Sequence, residues 1–298
     1  MAQTQMALDS LDFDATVALA TKVAPHVDIL EIGTPCIKHN GIELLKTLRA
    51  KFPNNKILVD LKTMDAGFYE AEPFYKAGAD ICTVLGTADI GTIKGVIDVA
   101  NKYGKMAQVD MINVTDKKAR SLEVAKLGAH IIGVHTGLDQ QAAGQTPFND
   151  LAMMAGLNTG AKISVAGGVK AATVRQVVDA GADIVVAGAA IYGAADPAAS
   201  AAEITGLARA GNASAGGMGK YLPWALIAGA VLLGLYLLKG GSPAEEIPAA
   251  DTATEQVAPD AAPAAEMPAE TAPAAAPAEA APAAEMPAEA APAEPAAQ

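Results

Sequence analysis

Residues 78–86 read GADICTVLG, a phrase that begins with glycine and continues into a short apolar run. Closely similar phrases occur at 128–131 (GAHI) and at 181–184 (GADI). A glycine at this place is typical of the end of a helix, and the apolar run that follows is typical of a buried strand. The recurrence of the phrase therefore predicts that the chain repeats one helix–strand unit.

Around these phrases, residues 1–210 alternate between β-rich runs and helical stretches. Eight units of this kind predict a compact (β/α)8 barrel, a TIM barrel, with a parallel sheet and right-handed crossovers. A doubly wound open sheet is the alternative, but it usually has a glycine-rich first turn, and residues 8–14 (LDSLDFD) contain no glycine. The predicted strands are Thr4–Ser10, Asp28–Gly33, Ile57–Lys62, Ile81–Gly86, Ala107–Val114, Ile131–Gly137, Ile163–Val169 and Ile184–Ile191.

Polar and ionisable residues stand at the carboxyl ends of these predicted strands, where the active sites of such barrels lie. Glycine turns close the last two strands, and their backbone N–H groups can hold a phosphate. We therefore expect one site at this end of the barrel. Its candidate residues are Asp9, Glu31, Asp60, Lys62, Asp65, Asp110, Asn113, His135, Gly167, Gly168 and Gly188.

The spacing of these residues indicates their chemistry. Asp60 and Lys62 stand two apart on one strand and so share a face, where a charge needs a partner. Glu31 and Asp60 together suit Mg²⁺, which prefers carboxylate oxygens. His135 is the one histidine at a predicted strand end and could transfer a proton, although a lone histidine is also commonly a core residue. Asp110 either takes part in the chemistry or simply pairs with Lys62.

The C-terminal third differs in composition from the rest. We predict a flexible linker at 211–219, a transmembrane helix at 220–239, and a disordered Ala/Pro/Glu-rich tail at 240–298. The 18 residues Tyr221–Leu238 carry no charge and match the thickness of a bilayer, with a buried helix or a hydrophobic segment that forms assemblies as the alternatives. We expect the barrel in the cytoplasm and the tail on the far side, since the tail has no Lys or Arg. The sequence leaves open whether this extension is natural or a fusion.

Charge and cysteine content exclude several classes of protein. The net charge of −12 comes mostly from the tail, since residues 243–298 hold 11 acidic and no basic residues. The sequence has no cluster of Lys and Arg that would indicate nucleic-acid binding. The two cysteines, Cys36 and Cys82, exclude a disulfide scaffold and a four-cysteine zinc site, and we expect both to be buried free thiols.

Residues 1–210 resemble the 3-hexulose-6-phosphate synthase family of the orotidine monophosphate decarboxylase superfamily. The superfamily signature D-x-K-x-x-D matches residues 60–65, and similar stretches occur at 30–35 (LEIGTP), 84–89 (VLGTAD), 133–141 (GVHTGLDQQ) and 165–169 (VAGGV). The resemblance implies a lyase, an aldolase that joins formaldehyde to D-ribulose 5-phosphate in the ribulose monophosphate pathway, with Mg²⁺ or Mn²⁺ as cofactor. It does not extend to residues 212–298.

The resemblance also implies a role for each site residue. Glu31 and Asp60 would hold the metal, His135 would remove a proton from C1, and Lys62 would stabilise the enediolate. Asp9 would bind substrate hydroxyls, and Gly168 and Gly188 would bind the phosphate. Asp65 would reach across a dimer interface into the site of the partner subunit, which implies a homodimer.

Two alternatives remain at this stage. 3-Keto-L-gulonate-6-phosphate decarboxylase shares the acids, the lysine and the metal, but the resemblance associates an arginine with positions occupied here by Leu138 and Ala189. A membrane-tethered scaffold without catalysis is the other possibility, because an aldolase does not need residues 218–298.

Overall fold

The computed structural model describes residues 1–218, which contain a closed barrel of eight parallel strands in sequential order. The predicted TIM barrel is thus confirmed. Its strands are β1 (Gln3–Leu8), β2 (Ile29–Ile32), β3 (Lys56–Thr63), β4 (Ile81–Leu85), β5 (Met106–Asp110), β6 (Ile131–His135), β7 (Lys162–Ala166) and β8 (Ile184–Ala187). The helices are α1 (Phe13–Val23), α2 (Thr34–Lys51), α3 (Gly67–Lys76), α4 (Ile90–Lys102), α5 (Lys117–Lys126), α6 (Leu138–Ala142), α7 (Phe148–Ala155), α8 (Ala171–Asp179), α9 (Ala189–Tyr192) and α10 (Pro197–Met218).

Several predicted strands extended too far at their carboxyl ends. β5 ends at Asp110, and Asn113 lies in the following turn with a φ of 58°, a left-handed conformation that asparagine tolerates. β8 ends at Ala187, and the next apolar residues form the short helix α9. Apolar runs alone do not distinguish a buried strand from the first turn of a buried helix, which is why these boundaries were wrong.

Helix α10 continues to Met218 and so includes most of the segment predicted as a linker. Within residues 1–218, no helix is both long enough and apolar enough to cross a bilayer. The predicted membrane segment and tail lie outside the described residues.

The side chains inside the barrel change from apolar to polar along the barrel axis. Isoleucine and leucine side chains fill the end at which the strands begin, and they form a small core of their own: Ile29, Leu58, Ile81, Ile131 and Ile184. Because side chains alternate along a strand, the next inward positions lie one level higher, and these include Gln5, Asp60 and Gln108. A larger apolar core lies between strands and helices and contains Cys36 and Cys82, both free thiols as predicted.

A ring of polar side chains closes the barrel where the strands begin. The residues just before β2, β4, β6 and β8 each accept a hydrogen bond from a backbone N–H of the preceding strand. The pairs are Asp28 with Thr4, Asp80 with Ile57, His130 with Ala107 and Asp183 with Ile163, at 2.8, 2.9, 3.1 and 2.8 Å. We call these four side chains the basal ring. In each copy of the repeated phrase, the side chain of the third residue therefore accepts one of these structural hydrogen bonds.

Asp80 shows how fully this ring is paired. Besides the Ile57 N–H, its carboxylate accepts hydrogen bonds from Lys105 Nζ at 2.6 Å and from the Arg49 guanidinium. Burial alone would raise the pKa of Asp80, but the hydrogen bonds from Lys105 and Ile57 and the charge of Arg49 outweigh it and lower the pKa. The charge on Asp80 therefore stabilises the folded barrel.

Candidate active site

A cavity of about 1060 Å³ opens at the carboxyl ends of the strands, at the end of the barrel opposite the basal ring. The structure brings nine of the eleven candidate site residues to its wall. They are Asp9, Glu31, Asp60, Lys62, Asp110, His135, Gly167, Gly168 and Gly188. Asp65 and Asn113 do not line it.

Asp60 is held at the centre of this wall by three donors. Thr83 Oγ1 donates to Oδ1 at 2.7 Å, while Thr34 Oγ1 and Lys62 Nζ donate to Oδ2 at 2.6 and 2.5 Å. Asp60 is only 6% exposed, so these contacts are shielded from water. The two threonines position the carboxylate, and the lysine balances its charge.

A bulge in β3 directs Lys62 into the cavity. The pairing of β3 with β4 shifts between Val59 and Thr63, and Lys62 has a φ of 47° within the shifted segment. Thr83 Oγ1 accepts a hydrogen bond from the Lys62 backbone N–H at 2.9 Å, which holds this conformation. Bulges of this kind change the direction of a side chain and are frequent beside active sites.

Asp110 connects the lysine to the histidine. Its Oδ2 lies 3.2 Å from Lys62 Nζ and 2.9 Å from His135 Nδ1, and its Oδ1 accepts the Ile112 N–H at 2.9 Å. An ionised carboxylate only accepts, so Nδ1 of His135 must carry the proton in this pair. The other ring nitrogen, Nε2, is then free of a proton in the neutral imidazole and available as a base.

The charges in this network shift the pKa values of its members. Burial would raise the pKa of Asp110, but the hydrogen bond and charge of His135 and the charge of Lys62 lower it. Burial would lower the pKa of Lys62, and Asp60 and Asp110 raise it instead. Burial likewise opposes the charged form of His135, yet the Asp110 hydrogen bond raises its pKa above the ordinary value. Lys62 is therefore a fixed cation, and its neighbour Asp110 favours the protonated form of His135 through their hydrogen bond.

The carboxyl groups of Glu31 and Asp9 lie close to another acid, Asp60, rather than forming salt bridges with cations, and we call them crowded for this reason. Glu31 Oε2 accepts a hydrogen bond from Gln5 Nε2 at 2.7 Å, but burial and the neighbouring Asp60 raise its pKa to about 8. Desolvation by the cavity walls and repulsion from Asp60 also raise the pKa of Asp9. This part of the cavity therefore holds more negative charge than its own cations balance.

A divalent cation fits this excess of negative charge. Glu31 and Asp60 offer oxygen ligands only, which Mg²⁺ and Mn²⁺ accept, and a bound cation would remove the repulsion that raises the Glu31 pKa. No group of three His, Cys, Asp or Glu side chains suited to a metal occurs in residues 1–218. The donor set therefore suits a cation that keeps ligand positions for substrate and water, rather than a closed zinc site.

The opposite wall of the cavity has the features of an anion site. Gly167 and Gly168 have φ values of 115° and 69°, and they lead directly into the first turn of α8. Gly188 follows the adjacent strand β8, and Lys170 also lines the wall. Backbone N–H groups at a helix start and a nearby ammonium group favour a phosphate.

Asp65 occupies a different environment. It is exposed on the turn after β3, where its Oδ1 accepts the backbone N–H of Ala66 at 2.7 Å. Met64, Phe68 and Tyr69 beside it are 54%, 42% and 83% exposed. An acidic side chain therefore lies among apolar groups that face away from the barrel.

Several residues of the site were not singled out from the sequence. Thr34, Thr83 and Gln5 hold the acidic side chains but carry no charge, and a lone threonine or glutamine gives no signal of its role. Asp110 was left undecided between catalysis and simple pairing, and it does contact Lys62 as the second reading expected. Its bond to His135 could have been anticipated, because both residues end adjacent strands.

Comparison with known proteins agrees with this geometry. Residues 2–204 match the family model described as the Orotidine 5'-phosphate decarboxylase / HUMPS family. The chain belongs to this family. The match covers the whole barrel and stops within α10, so it says nothing about residues 205–298.

Three individual proteins show how similar the chain is to enzymes with specific names. A protein of Methylomonas aminofaciens named 3-hexulose-6-phosphate synthase is 86% identical over 209 residues, which are 70% of this chain and 100% of that protein. The crystal structure of 3-hexulose-6-phosphate synthase from Salmonella typhimurium is 41% identical with a TM-score of 0.69 and covers 70% of this chain and 99% of that one. A 3-keto-L-gulonate-6-phosphate decarboxylase of Vibrio cholerae is 26% identical with a TM-score of 0.64, covering 70% and 98%.

Proposed function

We propose that this chain is an enzyme, an aldehyde-lyase that joins formaldehyde to D-ribulose 5-phosphate and forms D-arabino-hex-3-ulose 6-phosphate. The observation that carries the proposal is the 86% identity to the full length of a relative named for this activity. The 3-keto-L-gulonate-6-phosphate decarboxylase is a weaker candidate at 26% identity. A scaffold without catalysis does not account for the paired Lys62, Asp110 and His135 in an open cavity.

The residues of the cavity can carry this reaction. Nε2 of His135 removes a proton from C1 of the ketose phosphate, and Asp110 keeps the imidazole in the required tautomer. The ammonium group of Lys62 stabilises the negative charge that develops as the enediolate forms. A divalent cation held by Glu31 and Asp60 would polarise the carbonyl group and supply further positive charge. Asp9 would accept hydrogen bonds from substrate hydroxyls, while Gly168 and Gly188 would donate theirs to the phosphate.

A direct assay tests this function. The purified protein should consume formaldehyde only in the presence of ribulose 5-phosphate and yield a six-carbon ketose phosphate, and it should release little CO₂ from 3-keto-L-gulonate 6-phosphate. Rapid CO₂ release without formaldehyde fixation would assign the chain to the decarboxylase instead. No turnover of either substrate would favour the scaffold.

We also propose that the active form is a homodimer in which Asp65 completes the partner's site. The exposed apolar residues Met64, Phe68 and Tyr69 beside it suit such an interface. Mixing the inactive variants Asp65→Asn and His135→Ala should then restore activity, because one site of each mixed dimer has both native residues. Failure of any mixture to regain activity, with mixed dimers present, would contradict this arrangement.

Residues 221–238 are proposed to anchor the barrel to a membrane, with the barrel in the cytoplasm and the tail beyond the bilayer. The support is their uncharged sequence, since they lie outside the described residues. The full chain should sediment with membranes, and the chain truncated after Met218 should not. A tail that resists protease added to intact cells would contradict the orientation.

A further inference from the structure

Strands β3 and β4 pair irregularly beside the reacting groups. The pairing partners of Val59 and Thr63 on β3 are Cys82 and Val84 on β4. Three residues of β3 therefore lie opposite a single residue of β4, Thr83. The three include the aspartate and the lysine of the proposed reaction, so the irregularity lies where the chemistry needs fixed positions.

The extra length of β3 leaves the backbone of Lys62 in need of a partner. A bulge of this kind disrupts the ladder of hydrogen bonds between two strands, and Lys62 has a φ of 47°, which residues other than glycine seldom adopt. Its backbone N–H donates to Thr83 Oγ1 at 2.9 Å. Thr83 is 1% exposed, so water does not compete for this hydrogen bond. The side chain of Thr83 therefore supplies an acceptor that stabilises the bulge.

The same hydroxyl group contacts the carboxylate of Asp60. It donates to Asp60 Oδ1 at 2.7 Å. A backbone N–H can only donate and an ionised carboxylate can only accept, so the hydroxyl group satisfies both partners in one orientation. The backbone of Lys62 and the carboxylate of Asp60 are thus linked through one oxygen atom.

We propose that Thr83 is a positioning residue, whose hydroxyl group fixes Lys62 and Asp60 relative to each other for the reaction, and this assignment rests on the proposed function. Thr83 does not line the cavity, so it acts through these two side chains and not on the substrate. The ammonium group of Lys62 stabilises the charge that develops on the enediolate, and such stabilisation depends on groups that are in place before the charge develops. A residue that holds the bulge therefore contributes to the rate of the reaction.

Removal of the hydroxyl group tests the assignment. Thr83→Val nearly keeps the volume of the side chain. At saturating Mg²⁺ and formaldehyde, kcat should fall about tenfold to hundredfold, because hydrogen bonds to a carboxylate and from a backbone N–H are lost together. The KM for ribulose 5-phosphate should stay within about threefold, since the glycine turns after β7 and β8 are unchanged. The exchange of the C1 proton with deuterated water, measured without formaldehyde, should also slow, because it requires the enediolate.

Hydrogen exchange of the Lys62 backbone amide gives a readout that does not depend on turnover. In Thr83→Val this amide should exchange faster than in the parent protein, because it loses its acceptor. Mass spectrometry with fragmentation to single residues measures the rate.

Two further variants separate the hydroxyl group from packing. Thr83→Ser keeps the hydroxyl group and removes only a methyl group, so kcat should stay within about threefold of the parent value. Thr63→Val is the matched control, because Thr63 is also 1% exposed and its Oγ1 has no hydrogen-bond partner in residues 1–218. This control should keep the kcat and the C1 exchange rate of the parent protein.

An unchanged kcat in folded Thr83→Val would overturn the assignment, and so would an unchanged exchange rate of the Lys62 amide. Equal losses in Thr83→Val and Thr83→Ser would also overturn it, because they would attribute the effect to packing. If Thr83→Val fails to fold, Thr83→Cys takes its place, since a thiol is a weaker donor and acceptor, and its kcat should lie below that of Thr83→Ser. Absence of both C1 exchange and condensation in the parent protein would instead overturn the proposed function.

Discussion

The two ends of the barrel both gather acidic side chains from neighbouring strands, but the protein surrounds them differently. In the basal ring, Asp80 is paired with a backbone N–H and two cations, and its pKa is lowered. In the cavity, burial and Asp60 raise the pKa of Glu31 to about 8. Paired charge stabilises the fold at one end, while crowded charge at the other end is suited to bind a cation and substrate.

The largest expected effect concerns the proton transfer in the cavity. His135→Ala should lower kcat by about 10²–10⁴, because it removes the proposed base. The melting temperature should change little, since the imidazole is partly exposed and only one of its hydrogen bonds is lost. Steady-state kinetics and calorimetry on the same samples check both parts. A large loss of stability with unchanged kcat would reverse the roles assigned to the two ends.

The basal ring should give the opposite pattern. Asp80→Asn should destabilise the barrel by about 1–3 kcal/mol, a decrease of roughly 3–10 °C in Tm, and leave kcat within about twofold. Because folding lowers the pKa of Asp80, its charge stabilises the fold above the unfolded pKa near 3.8, and this contribution is lost as the pH falls through the folded pKa. The difference in stability between the two proteins should therefore be full at pH 7 and shrink in acid. A difference that grows in acid would contradict this interpretation.

Replacing Glu31 should change the stability of the fold less than Asp80→Asn does, and it should increase the stability rather than decrease it. Folding raises the pKa of Glu31, so its ionisation costs stability increasingly from about pH 4.5 to about pH 8. Glu31→Gln should raise the Tm of the metal-free protein at pH 8, by roughly 2–4 °C for each kcal/mol of repulsion removed. The same variant should bind Mg²⁺ or Mn²⁺ more weakly by calorimetric titration. A lower Tm would show that Glu31 is paired as Asp80 is.

The smallest expected effect is on the pH profile. Asp110 raises the pKa of His135, and the proposed base must be neutral, so activity falls as the pH drops through this pKa. Asp110→Asn should move the acid limb of the kcat/KM profile to lower pH, in addition to lowering its maximum. Asn113 gives a control: its Oδ1 accepts from Gln140 Nε2 of α6, it does not line the cavity, and Asn113→Ala should leave the limb in place. A limb unmoved by Asp110→Asn would assign it to another group.

The alternation of eight apolar runs with helical stretches, marked by the repeated phrase at 78–81, 128–131 and 181–184, was sufficient to predict the barrel, because hydrophobic period and glycine placement are local properties of the chain. The acids at strand ends were also predictable, since parallel strands bring their carboxyl ends together. The support of Asp60 was not, because Thr34 and Thr83 carry no charge and their role depends on strands and helices that meet only in the fold. The β3 bulge, which aims Lys62, likewise depends on pairing with β4 and leaves no signature in residues 57–62.

The most direct test of the contrast between the two ends is turnover after removal of divalent cations. The protein stripped with EDTA and passed through a desalting column should fix formaldehyde onto ribulose 5-phosphate at a small fraction of its initial rate, and added Mg²⁺ or Mn²⁺ should restore it. Stripping should lower the melting temperature only by the stabilisation that the bound cation gave, and the barrel should stay folded because the basal ring holds it without a cation. Turnover at the full rate in the stripped protein would contradict the account.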